Sequence, residues 1–144
     1  MAEGALEAGL IPAMPEVVTD PTLVEPGCYV EDINQVGPTF LKMGALSFLN
    51  QHLKTPFEGM LSPAAGRAQL AGYLYQREPE PGSLAVHVTH DTILAVLVAE
   101  LEGRDAIDEA HWPWMMEGLW VWFEDARMHW VWRGHHGHRE LALA

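Results

Sequence analysis

At 144 residues the chain fits one ordinary domain, and its 49% hydrophobic content is enough for a packed core rather than a disordered coil. A formal net charge of −12 repels phosphate backbones and anionic lipid, so nucleic acid and membrane surfaces are excluded as expected partners. No apolar run approaches the roughly 20 residues of a membrane span, and the first nine residues carry Glu3 and Glu7 in place of a basic leader. Cys28 stands alone, which rules out an internal disulfide framework. Together these features lead us to expect a cytoplasmic protein.

In chain order, Ala2 to Gly9 reads as the end of a helix that stops at a glycine. Pro12 and Pro15 mark a connection, and Glu16 to Thr19 is short and β-prone. Pro21 to Gly27 reads as a loop, and Tyr29 to Val36 is ambiguous. Gly37-Pro38 opens a helical segment over Thr39 to Leu53, with Phe40, Met43, Leu46, Phe48 and Leu49 at apolar positions. Ser62-Pro63 is a capping residue followed by proline at the first helical position, and it starts a helix that runs to about Gln76. Arg67 and Arg77 fall on that helix as solvent contacts.

Ser83 to Thr89 (SLAVHVT) is a nearly continuous apolar run, the pattern of a strand buried on both faces. A polar turn, His90-Asp91-Thr92, leads into a helix over Ile93 to Leu101 that ends near Gly103. Strand, turn and helix make half of a βαβ unit, and ligands of open α/β sheets bind outside the carboxyl ends of strands, where His90 would sit. Gly118 to Glu124 and Met128 to Arg133 alternate about Asp125-Ala126-Arg127 as a β-hairpin, with Trp120 and Trp122 on one face of its first strand and Trp130 and Trp132 on one face of its second. Residues 135–144 read as a mobile tail. Its His135, His136 and His138 lie close enough to share a borderline cation, but without an ordered surround no resident metal or other cofactor is expected. The fold class is α/β, in one layered domain.

Val86 to Leu94 (VHVTHDTIL) resembles the second-histidine motif of the histidine phosphatase superfamily, to which phosphoglycerate mutases and acid phosphatases belong. Leu23 to Gly27 resembles the Leu-x-Glu segment of many members, and Glu117 to Gly134 is similar to the terminal hairpin of bacterial relatives. The resemblance implies a partial phosphoglycerate mutase-like fold with a mainly parallel sheet. It implies phosphomonoester hydrolysis through a phosphohistidine as the ancestral activity, and a phosphorylated small molecule or phosphate as ligand. His90 would contact the phosphate, and the proton donor would be Asp91 or, in the alternative arrangement, Glu25. No Arg-His-Gly triplet is present and no arginine precedes Arg67. The expectation is therefore a chain incomplete at its N-terminal side and inactive by itself, or a non-catalytic phospho-ligand-binding or protein-interaction module of the same fold. In the family the first strand lies beside the one ending at the second histidine. Its loss would expose the edge of Ser83 to Thr89, which a second copy or a partner chain would cover.

Overall fold

The computed structural model describes residues 2–24 and 26–141. Among these residues, five helices precede a three-stranded sheet: α1 (Ala2–Glu7), α2 (Ile33–Met43), α3 (Ala45–Lys54), α4 (Pro63–Tyr75), α5 (Asp91–Glu102), β1 (Trp120–Glu124), β2 (Arg127–Trp132) and β3 (His135–Glu140). None of these helices is long and apolar enough to cross a membrane.

The helices begin and end where local chemistry dictates. Asp32 caps α2 by accepting a hydrogen bond from the Asn34 amide at 2.9 Å, and Ser62 caps α4 by accepting from the Ala65 amide at 3.2 Å. The single helix expected over Thr39 to Leu53 is two. It begins earlier, at Ile33, with Pro38 inside α2, and Gly44 (φ 75°, ψ 154°) breaks it, a left-side backbone conformation that glycine adopts without a Cβ penalty. Gly103 at φ 69° ends α5 in the left-handed conformation.

α5 is the centre of the molecule. Ile93, every residue from Ala95 to Ala99, and Leu101 are buried, so the helix is apolar nearly all round, as a helix enclosed by other elements must be. α3 and α4 pack on it, and β3 meets it from the sheet. Phe48 and Leu49 of α3, Leu70 and Ala71 of α4, and Met128, Trp130 and Trp132 of β2 complete the core. Phe48 stacks on Phe57 with ring centroids 4.4 Å apart. The Asn50 side chain clamps the loop after α5, donating to the Ile107 carbonyl and accepting from the Ile107 amide, each at 2.7 Å. Arg67 is not a solvent contact: its Nε donates to Glu100 Oε2 at 3.2 Å, tying α4 to α5 in a mostly buried pair.

The sheet is antiparallel throughout, in the order β1-β2-β3. This overturns the expected mainly parallel, phosphoglycerate mutase-like sheet. Ser83 to Thr89 forms no strand of any sheet, and its Leu84, Val86 and Val88 are 67%, 65% and 59% exposed rather than buried on both faces. The physical reason is that a strand is defined by its neighbours. The described strands all lie C-terminal to α5 and pair among themselves, so none is left to flank this run. The β-prone Glu16 to Thr19 likewise joins no ladder.

The expected hairpin is present. Trp120 pairs with Val131 and Glu124 with Arg127, around Asp125 and Ala126 at φ 49° and 59°. Two consecutive positive φ values give the turn a twist that matches the strands it joins. The expected mobile tail is, over His135–Glu140, a third strand: Arg127 pairs with Glu140, Trp130 with Gly137 and Trp132 with His135. What anchors it is Trp130, whose ring lies over Gly137 so closely that any Cβ there would collide with it. The two tryptophan pairs take opposite sides of the sheet. Trp130 and Trp132 face the core, while Trp120 and Trp122 face solvent.

Candidate functional site

His90 is the N-cap residue of α5, at φ −79° and ψ 150°, and it is exposed. Its side chain makes no capping hydrogen bond; its carbonyl accepts from the Leu94 amide at 3.1 Å. Since Ser83 to Thr89 is not a strand, the position at the carboxyl end of an interior strand does not exist here. Asp91 opens α5. Its Oδ1 accepts from the Thr92 amide at 2.8 Å, and its Oδ2 accepts from the Trp112 indole N–H at 3.0 Å. One carboxylate thus occupies an α5 N-terminal amide and holds the loop after α5. Glu25 lies outside the described residues.

The surroundings of His90 carry no gathered positive charge among the arginines. Arg67 pairs with Glu100, Arg77 with Asp20, Arg104 with Glu102, Arg127 with Glu140, and Arg133 with Glu117. Arg139 donates to the Glu100 carbonyl at 3.1 Å. Each guanidinium is committed to a structural contact, and Arg133 is the most fully used: Nε and Nη2 grip Glu117 at 2.6 and 2.8 Å, and its remaining donors take the Ala110 and Trp112 carbonyls. That grip holds the Glu117 carboxyl below the usual carboxylate range. Two concavities of the surface lie away from His90 and Asp91. One, of about 10 Å³, lies between Arg67, Leu101, Met128 and Arg139, and the other is a shallow hollow beside Gln35, Thr39, Phe57 and Glu58.

Two features stand out instead. The first is Ser83 to Thr89, a segment outside any ladder in which only Ala85 and Thr89 are half-buried. Ala85 and Thr89 turn toward the body, Thr89 Oγ1 donating to the Leu23 carbonyl at 2.6 Å, and His87 meets the Tyr73 ring edge-on at 6.0 Å. Burial and the nearby Arg77 charge push the His87 imidazole below its ordinary pKa. Leu84, Val86 and Val88 occupy the alternate, outward positions. The apolar pattern was legible in the sequence; what it could not reveal is that these residues point away from the core.

The second is the outer face of the sheet, where Trp122, His129, His136 and His138 gather. Trp122 and His129 are register partners, as are His129 and His138. Trp122 is near-parallel to His129 and His136 at 5.3 and 5.4 Å, and His129 to His136 at 5.7 Å. His129 was not singled out from the sequence. The signal available was its position: alternation places it opposite Trp130, on the outer side with Trp122.

Comparison with protein-family models, with curated proteins and with solved structures finds no match, so the fold and the two exposed features rest on this chain's own chemistry.

Proposed function

We propose that the chain is a non-catalytic protein-interaction module whose docking element is Ser83 to Thr89, and that its partner there is a second copy of the same chain. The observation that carries this is the exposed row Leu84, Val86 and Val88 on backbone outside any ladder. Backbone N–H and C=O groups that lie outside any ladder, beside exposed β-branched side chains, form a template for strand addition. The segment is also self-complementary. In an antiparallel pair centred on Val86, Val86 faces its own copy and Leu84 faces Val88, so the apolar row of each chain covers that of the other. The seven residues include no carboxylate, lysine or arginine, so the contact buries no formal charge apart from any on His87. Phosphomonoester hydrolysis draws less support: it needs a nucleophile and converging cations at His90, while the arginines are engaged elsewhere.

Sedimentation equilibrium at tens of micromolar tests the reading, with Val86→Pro as the variant. Proline at this exposed position removes a donor and obstructs the ladder without opening the core. The native chain is expected to be a dimer and the variant a monomer with unchanged far-UV circular dichroism. Because each copy carries −12, association should strengthen when ionic strength rises from about 20 to about 300 mM. A native chain that sediments as a monomer under both conditions overturns the pairing. Turnover of an aryl phosphate that His90→Ala abolishes overturns the non-catalytic assignment.

A further inference from the structure

The outer face of the sheet, remote in sequence from the docking segment, carries chemistry that strand pairing does not use. We infer that His129 and His136 form a two-point clip for a borderline divalent transition ion, with Zn2+ the best fit, and that His138 stands beside it as an auxiliary donor.

The geometry is specific. His129 Nδ1 and His136 Nε2 lie 3.4 Å apart. Two imidazole nitrogens bound at about 2.0–2.1 Å to a tetrahedral ion stand about 3.3–3.4 Å apart, whereas two adjacent corners of a square-planar site stand about 2.9 Å apart. The pair is already spaced as one edge of a zinc tetrahedron. His129 lies on β2 and His136 on β3, so a bound ion would staple two hydrogen-bonded strands whose backbone spacing is fixed by the ladder. Near-parallel packing against Trp122 orients both rings, the positioning that ligating imidazoles otherwise receive from supporting hydrogen bonds.

No group of three His, Cys, Asp or Glu side chains among the described residues is arranged to hold an ion. The remaining positions therefore fall to water, or to His138, whose ring is 5.6 Å from that of His129 and 6.4 Å from that of His136. Binding requires a definite tautomer on each ring: the lone pair must sit on Nδ1 of His129, leaving Nε2–H, and on Nε2 of His136, leaving Nδ1–H.

The test is isothermal titration calorimetry of the full, untagged chain with Zn2+, with Mg2+ as the hard-cation control, alongside NMR of the imidazole nitrogens. The clip predicts one Zn2+ per chain with a Kd below about 1 mM, and no Mg2+ uptake. His129→Ala and His136→Ala should each weaken Zn2+ about tenfold or more, while His135→Ala, off the outer face, should leave it within about twofold. NMR should show the stated tautomers fixed on zinc addition. His135 and His136 are exposed and His129 is half-buried on the outer face, outside the core, so the variants should fold, which the unfolding midpoint verifies. Affinity unchanged in His129→Ala, equal losses in His135→Ala, a Kd above about 1 mM, or the opposite tautomers would each overturn the clip.

Discussion

His52 allows the sharpest test of the core. It sits on α3 with no exposed surface, edge-on to Tyr29 at 6.2 Å, and neither of its ring nitrogens has a hydrogen-bond partner among the described residues. Burial lowers its pKa from 6.5 to about 4. The folded state therefore resists a proton that the unfolded chain accepts. Stability is whole above about pH 6.5, falls as pH drops toward about 4, and loses nothing further from this group below that. At about 1.4 kcal/mol per pKa unit, the full span is worth about 3 kcal/mol, of which about 2 kcal/mol is already gone at pH 5. The perturbation is His52→Leu, which fills a similar volume and cannot be protonated. At pH 7.5 it should be neutral or stabilising by about 1 kcal/mol, because it removes unpaired buried nitrogens at the expense of the Tyr29 contact. The assay is urea unfolding of both proteins at pH 7.5 and pH 5. Subtracting one pH dependence from the other cancels the carboxylates and the other histidines. The native protein should lose about 2 kcal/mol more than the variant over that interval. Parallel losses, differing by less than about 0.5 kcal/mol, would refute the reasoning and mean that the ring finds water or a partner when charged.

Gly137→Ala should destabilise by about 1–3 kcal/mol, because a methyl there meets the Trp130 ring and must lift β3 or turn the indole; thermal unfolding measures it, with Gly118→Ala, which has open space around it, as control. Arg133→Lys should loosen residues 110–117, since an ammonium cannot reproduce the two-pronged grip on Glu117 together with the Ala110 and Trp112 carbonyls; hydrogen exchange should quicken in that loop and not in α5. Cys28 is buried and its thiol is pushed up to about 12 by desolvation, so a thiol reagent at pH 8 should modify it only as fast as the protein opens, while urea-unfolded chain reacts at once.

Much of the local structure was written in the sequence. Ser62-Pro63 names the start of α4, Gly103 the end of α5, and the alternation of Trp120 to Trp132 about Asp125-Ala126 the hairpin, because capping, chain reversal and side-chain direction are decided within a few residues. Ser83 to Thr89 shows where that logic stops. An apolar run of this length suits a strand covered on both faces and a surface segment outside any sheet equally well. Which one it is depends on whether neighbours far along the chain come to lie beside it. Here the apolar interior is built around α5, and Leu84, Val86 and Val88 of the run are left exposed. The setting of His90 and Asp91 differs for the same reason: with no strand before them, they are the N-cap and first residue of a core helix, and Asp91 accepts from the Trp112 indole. The histidine strand is the converse case. His135 to Glu140 has little β-propensity of its own, and it became β3 because β2 offered a free ladder edge and Gly137 let the Trp130 ring settle over it. Pairing across the sheet, a property of three segments together, set His129 beside His136 and made a face that none of the strands encodes alone.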